Sequence, residues 1–369
     1  MAKAAKPILD FTVYVAVRLL VGVIQAIPYR AGITLADGLA WLVYQVDRRH
    51  RQVAHENLAF AFPDTLGNHV AGGVRRRDAM VRATLRHFCR LVIEMIWLPR
   101  LFQVGSWKKH IDLGDNPAPL VRLLLSGRPM LLATGHFGNW EMAGYMLGLL
   151  GFKTFAIARV LDNPHLEKFL RRFRQRTGQT ILAKKGDFEL IQGVLGSGGI
   201  LATLADQDAG PKGQFVPFFH RPASTHKALA LMALEYDTPV VVVGLAKVGE
   251  PLRYRLEVEE ILEPADFKNE PASVAALTTR YTAALERMIR RHPEQYFWLH
   301  RRWKHQPAAR KPKKNDSGMV AARWRSGACP SNRLKWMSRS FLRAARNESL
   351  KISKIISVPL VNPAIWADS

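Results

Sequence analysis

From about Arg128 onward the chain repeats one pattern: a short apolar run, a break, then a segment with helical spacing. Parallel strands need a crossover long enough to hold a helix, so the alternation implies an α/β domain whose mainly parallel sheet is flanked by helices. Strands are predicted over 130–134, 154–158, 200–205, 239–245 and 253–258. Helices are predicted over 139–150, 164–176, 187–195, 224–236 and 273–291.

Ahead of this region, residues 36–146 read as mostly helical, with basic clusters at Arg48, Arg49 and Arg51, at Arg75, Arg76 and Arg77, and at Lys108 and Lys109. The chain opens with Lys3 and Lys6 followed by an apolar stretch over 8–27, the outline of a signal peptide or a membrane span. Asp10, Tyr14, Arg18 and Gln25 interrupt it, and at about 100° per residue they fall on one stripe of an otherwise oily helix. A membrane-attached helix over 1–28 is the expectation. A buried amphipathic helix is the alternative, and Arg18 inside the apolar region disfavours a cleaved signal. Residues 29–305 are read as one domain carrying the candidate chemistry, and 306–369, where prolines scatter among lysines and arginines, reads as a poorly ordered basic tail.

A formal net charge of +24 exceeds what solubility requires and calls for a polyanionic neighbour: nucleic acid, anionic lipid, a phosphorylated substrate or an acidic carrier protein. Cys89 and Cys329 lie far apart in unlike surroundings, which suggests neither a disulfide framework nor a thiolate metal site. No H-E-x-x-H and no Gly-rich phosphate loop of the Walker kind occurs, so metal hydrolysis and nucleotide chemistry lack their usual signatures.

The segment LLATGHFGNWEMAGYML carries the candidate chemistry. A strand ending at Thr134 breaks at Gly135, and a helix starts near Asn139, which leaves His136 in the break. On a continuous helix residues five apart diverge by about 140°, but with His136 in the loop and Glu141 in the first turn the two side chains can meet. Glu141 is then expected to accept the Nδ1 proton of His136 and leave Nε2 to take a proton from a hydroxyl. Gly135 and Gly138 allow close approach, and the helix start offers free N–H groups to a developing anion. Ligand sites in open α/β sheets gather beyond the carboxyl ends of the strands. His136, Arg159, and Asp206 with Gln207 each follow such an end, which places Arg159 to hold a phosphate or carboxylate and Asp206 and Gln207 to orient hydroxyls.

Four segments in order, GHFGNWE, ARVLDNPHLEKFLRRFRQRTG, ADQDAGPKGQFVPFFHRPASTHKALALMA and PEQYFWLHRRWK, together with HENLAFAFP and the oily start, resemble the lipid A biosynthesis acyltransferases over about residues 8 to 305. These late acyltransferases sit within the wider lysophospholipid and glycerophosphate acyltransferase group. The resemblance implies a glycerophosphate-acyltransferase-like fold and a histidine base paired with an acidic residue after four intervening positions, here His136 and Glu141. It implies acyl transfer from an acyl carrier protein or acyl-CoA, as co-substrate and with no resident cofactor, to a glycolipid hydroxyl at the cytoplasmic face of the cell inner membrane. By position Arg159 matches an anion-binding arginine; Asp206, Gln207 and Gly210 match a turn after the third of the predicted strands; Arg301 and Arg302 match a terminal basic motif. Asn139, inside GHFGNWE, joins the expected substrate-binding set. A phospholipid or phosphatidylinositol-mannoside acyltransferase is the alternative served by the same base. A nucleic-acid-binding or membrane-surface protein is the rival from another class; it explains the basic tail with Trp324 and Trp336 but not the convergence of His136, Arg159 and Asp206, and no nucleic acid is expected.

Overall fold

The computed structural model describes residues 7–158, 160–183, 188–270 and 272–307, so Arg159 and the basic tail beyond Pro307 lie outside the described residues. The N-terminal third is helical: α1 (Pro7–Ala26), α2 (Tyr29–Val46), α3 (Arg48–Ala61), the short α4 (Pro63–Leu66) and the long α5 (Gly73–Leu101). The sheet region follows as β1 (Ile111–Asp112), α6 (Ala118–Leu125), β2 (Met130–Thr134), α7 (Trp140–Leu149), β3 (Thr154–Ala158), α8 (Pro164–Gln175), β4 (Gln179–Ala183), α9 (Phe188–Gly196) and β5 (Ile200–Leu204). It ends with β6 (Gln214–Phe218), β7 (Arg221–Thr225), α10 (Ala228–Glu235), β8 (Val240–Gly249), β9 (Arg253–Leu262) and α11 (Ser273–Arg291).

The sheet order is β1-β9-β8-β2-β5-β3-β4. Strands β8, β2, β5, β3 and β4 pair in parallel, while β9 runs antiparallel to β8 and carries β1 parallel to itself. The predicted α/β class with a mostly parallel sheet is therefore observed, with an antiparallel edge added. Strand β2 is central, and Met130, Leu131, Leu132 and Ala133 are all buried because helices cover both faces; this is why its sequence is continuously apolar instead of alternating.

The chain leaves β2 through α7 to β3 and β4, then returns to insert β5 between β2 and β3, and only later adds β8 on the other side of β2. This reversal makes the carboxyl ends of β2 and β5 neighbours at a switch point, the place where open α/β sheets form sites.

Strands β1, β4, β6 and β7 are additional to those predicted, and one predicted helix is shorter. The helix expected over 224–236 begins only at Ala228, because Ser224 and Thr225 end β7 in a hairpin with β6. The hairpin turn is Phe219-His220, with φ of +48° and +61° at residues that seldom adopt such values. Packing holds it: the buried Phe219 ring stands 5.4 Å from Phe62 and 5.5 Å from Trp298. Strand β4 lies at the edge beside β3.

The predicted stripe on α1 faces the protein. Asn163 Nδ2 donates to the Asp10 carbonyl at 2.8 Å, the Tyr14 ring lies 5.7 Å from His165, and the Arg18 guanidinium lies 5.0 Å from the centre of the Phe169 ring. Arg100 of α5 donates to the Gln25 carbonyl at 2.6 Å. The apolar remainder, including Leu9, Phe11, Leu19, Leu20 and Val23, is exposed.

Candidate active site

His136 occupies the loop between β2 and α7, and backbone hydrogen bonds hold this loop on several sides. Ala205 N–H donates to Thr134 O at 2.7 Å, extending the pairing of β2 with β5 by one step and bringing Asp206 beside His136. Asp206 Oδ2 accepts the His136 backbone N–H at 2.9 Å, and Oδ1 lies 2.9 Å from Nδ1 of the same residue. The His136 carbonyl accepts from Phe297 N–H at 3.0 Å, Gly138 N–H donates to Gln295 O at 3.0 Å, and Asn139 N–H donates to Leu245 O at 2.9 Å. Two glycines make this closure possible. A Cβ on Gly138, whose φ is +55°, would stand 2.0 Å from Leu245 O, and one on Gly135 would stand 3.3 Å from the Asp206 carboxyl group. The close approach expected of these glycines is thus to neighbouring protein.

Because a carboxylate only accepts, the contact with Asp206 places the imidazole proton on Nδ1 and leaves the Nε2 lone pair available. The Asp206 side chain is fully buried and that of His136 is 18% exposed, so the pair is anchored from inside and open at one end. Burial alone would raise the Asp206 pKa. The His136 imidazole beside it and the hydrogen bonds from that residue outweigh burial and hold the carboxyl well below its ordinary range. The walls are aromatic: the Trp140 ring lies 5.2 Å from the imidazole edge to face, and Phe297 lies at 6.0 Å. Burial lowers the His300 pKa, and its Nε2 lies 3.2 Å from the Asp206 carbonyl. Its Nδ1 lies 2.7 Å from the Phe297 carbonyl, so the ring bridges the backbone that clamps His136 and the strand end that carries Asp206.

The expected bond between Glu141 and His136 is not made. Glu141 stands in the first turn of α7 but points to α8, where Arg174 Nε donates to Oε2 at 2.9 Å and Arg174 Nη2 donates to Oε1. Burial would lower the Arg174 pKa, but the Glu141 charge outweighs it and raises it. Helix α7 carries Glu141 away from the loop, while the parallel neighbour β5 delivers a carboxylate to Nδ1. Asp206 thereby takes the place expected of Glu141, and with both oxygens on His136 and 1% exposure it does not orient substrate hydroxyls.

The sequence model described as bacterial lipid A biosynthesis acyltransferase matches residues 3–305. The chain belongs to this family. Among similar proteins, the lipid A biosynthesis palmitoleoyltransferase of Escherichia coli (strain K12) is 27% identical over 286 residues, covering 76% of this chain and 87% of that protein. The lipid A biosynthesis lauroyltransferase of the same organism is 24% identical over 286 residues, covering 76% and 88%. A phosphatidylinositol mannoside acyltransferase of Mycolicibacterium smegmatis (strain ATCC 700084 / mc(2)155) is more distant in extent, 26% identical over 231 residues, covering 61% and 73%. The chain is accordingly an enzyme that transfers acyl groups.

In this member of the lipid A acyltransferase family, several residues expected to bind substrate support the site from behind instead. Asn139 is fully buried and caps α7, accepting from Met142 N–H at 2.9 Å. Its Nδ2 donates to Tyr254 Oη at 3.1 Å, and that hydroxyl donates to the buried Glu94, which also accepts from Lys247. Arg302 is 1% exposed: Nη1 donates to Ser224 O at 2.6 Å and Nη2 to Thr225 Oγ1 at 2.7 Å, tying β7 to the turn after β5. Gly210, with φ of +80°, forms that turn and its carbonyl accepts from the Ser224 hydroxyl. Gln207 is half-buried, its carbonyl 3.4 Å from Arg302 Nη1, and Arg301 is exposed. Arg159 lies outside the described residues.

Sequence reasoning missed Arg174, Trp140, Gln295, Phe297 and His300 as parts of the site. The signal was present for all five, since Trp140 stands in GHFGNWE, Arg174 in ARVLDNPHLEKFLRRFRQRTG, and Gln295, Phe297 and His300 in PEQYFWLHRRWK.

Proposed function

We propose that this enzyme, with a core of glycerophosphate-acyltransferase type, moves a fatty acyl group from an acyl carrier protein or acyl-CoA thioester to a hydroxyl of a lipid A-type glycolipid. The setting we propose is the cytoplasmic face of the cell inner membrane. The observation that carries the chemistry is the His136 Nδ1 to Asp206 Oδ1 contact of 2.9 Å, buried at the carboxylate and open at the imidazole.

Asp206 fixes the Nδ1–H tautomer and stabilises the imidazolium that forms. Nε2 takes the proton of the acceptor hydroxyl as its oxygen attacks the thioester carbonyl. The tetrahedral intermediate collapses, the carbon–sulfur bond breaks, and the imidazolium returns its proton to the departing thiolate. Ester and thiol are the products, and the base is regenerated. A weak hydroxyl nucleophile near neutral pH needs such a base within about 3 Å, and a positioned base contributes about 10²- to 10⁴-fold.

The names of the relatives support lipid A as the acceptor class, and the net charge of +24 suits phosphorylated glycolipids and an acidic carrier. Arg159, directly after β3, is assigned to an anionic group of substrate by its sequence position. The similarity to a phosphatidylinositol mannoside acyltransferase motivates one second reading, an acceptor of that kind.

Mass spectrometry of membrane glycolipids and phospholipids, with and without the protein, tests the proposal together with His136→Ala. One lipid A-type species should lose one acyl chain without the enzyme and regain it with wild type but not with His136→Ala. A change confined to mannosides or phospholipids selects the second reading, and near-normal kcat in folded His136→Ala removes the mechanism.

A further inference from the structure

Helix α1 is long and apolar enough to cross a membrane, yet only one of its sides faces the protein, and that side follows its polar stripe. Asp10, Tyr14, Val17, Arg18, Val21 and Ile24 are at least half covered, a spacing of three and four that runs along one face of the helix. Their partners lie on α8 near the start of α1 and on α5 near its end. From Asp10 to Gln25 the helix rises about 22 Å, most of a hydrocarbon core of about 30 Å. A crossing helix docked in this way would carry α8 into the bilayer, and α8 exposes Lys168 and Arg172. Cations at that depth are strongly disfavoured.

Helix α2 has the same division. Gly32, Ala36, Ala40 and Tyr44 are buried, and Asp37 is joined to Arg90 of α5 by two contacts of 2.6 Å. The outer face presents Leu35, Leu39, Trp41, Leu42 and Val46, from 45% to 72% exposed. Exposed cations stand at both ends, Arg30 at the start and Arg48 and Arg49 just beyond. An apolar face with a tryptophan, rimmed by arginines and joined along the chain to α1 by Ile27 and Pro28, has the chemistry of a helix lying in a lipid headgroup boundary. A second copy of this chain fits less well, since a two-fold contact would bring these arginine rims and a +24 charge together.

We propose that α1 and α2 form a monotopic, two-helix membrane face: α1 lies in the plane of one anionic leaflet without crossing it, and the outer side of α2 enters the same leaflet. The inference rests on the membrane setting of the proposed function, and not on its chemistry.

The test is a depth profile of the full-length protein on vesicles of phosphatidylethanolamine and phosphatidylglycerol. Nitroxide labels are placed one at a time at Leu9, Val13, Ala16, Leu20 and Val23 of α1 and at Leu35, Leu39, Leu42 and Val46 of α2. Cys329→Ser removes one background thiol, and Cys89 is 4% exposed. Accessibility to oxygen against a water-soluble nickel chelate reports depth. The α1 labels should sit at one mean depth, and the α2 labels should become shielded from nickel only when vesicles are present. A depth that climbs to a midpoint and falls between Leu9 and Val23 would establish a span and overturn the proposal. So would α2 labels that stay as accessible to nickel as in water, or label pairs coupled across a dimer without lipid. Trp41→Glu/Leu42→Glu, at exposed positions and checked by near-ultraviolet circular dichroism, should lower vesicle partitioning at least about tenfold. Unchanged partitioning also rejects the role of α2. These readouts involve no turnover, so loss of the acyl-transfer reading and loss of this one are separate results.

Discussion

Arg174 holds Glu141 through both carboxylate oxygens, at 2.9 Å from Nε to Oε2 and by a second bond from Nη2 to Oε1, and so withdraws from His136 the carboxylate nearest to it in sequence. The two acidic residues of the site therefore have separable duties. In the proposed mechanism Asp206 serves the proton transfer, whereas Glu141 joins α7 to α8.

Asp206→Asn should lower kcat by about 10²- to 10⁴-fold, because an amide cannot stabilise the imidazolium. Glu141→Gln should lower the folded enzyme's kcat less than about tenfold. It leaves the mostly buried Arg174 without its counter-charge, which costs about 3 kcal/mol and lowers Tm by several degrees. Steady-state kinetics and calorimetry on both variants check the division, and a larger kcat loss in Glu141→Gln than in Asp206→Asn would reverse it.

Gly138→Ala should abolish the fold of the loop, since its Cβ would meet the Leu245 carbonyl oxygen at 2.0 Å with φ at +55°. Gly135→Ala meets a side chain at 3.3 Å and has room to adjust by tenths of an ångström. It should retain stability and lose kcat through a displaced Asp206 carboxyl. Denaturation midpoints and kcat measured together distinguish the two outcomes.

His87 makes stability depend on mild acid. Burial lowers its pKa from 6.5 to about 4, and its Nε2 lies 3.2 Å from Gly138 O, where a neutral Nε2–H donates. Because the folded pKa is below the unfolded one, the unfolded chain takes up the proton first as pH falls. The cost is absent above about pH 6.5 and grows until pH 4, reaching about 3 kcal/mol for a 2.5-unit difference. His87→Gln, which keeps a donor, should flatten unfolding free energy over that window; an unchanged slope would assign the acid sensitivity elsewhere.

Arg302→Lys should destabilise the enzyme while the acceptor KM of the folded fraction stays the same. Lysine lacks the fork that reaches Ser224 O and Thr225 Oγ1 together. A raised KM at unchanged Tm would restore the substrate role that the sequence position suggested.

Strands β2, β3, β5, β8 and β9 and the His136 loop were legible because their signals are local. The apolar run over Met130–Thr134, the glycine break and the Asn139 cap lie within ten residues, and α11 matches its predicted bounds of Ser273–Arg291. The hairpin was hidden because Phe219-His220 adopts a turn that usually advertises itself with Asn-Gly, and only tertiary packing holds it. The partner of His136 was misassigned for a related reason. Asp206 was visible as a polar residue at a strand end, but its contact spans 70 positions and depends on β5 returning to lie beside β2. Spacing in the chain favours Glu141, whereas strand order favours Asp206.

The clamp on His136 also sets an order of events during synthesis. Its carbonyl is held by Phe297 and the adjoining Gly138 N–H by Gln295, both beyond the last long helix. A nascent chain that has not yet released this segment from the ribosome contains β2, β5 and the His136–Asp206 pair, but not the backbone that seats the loop. A chain stopped before Gln295 would therefore keep His136 and Asp206 without the backbone contacts that seat their loop.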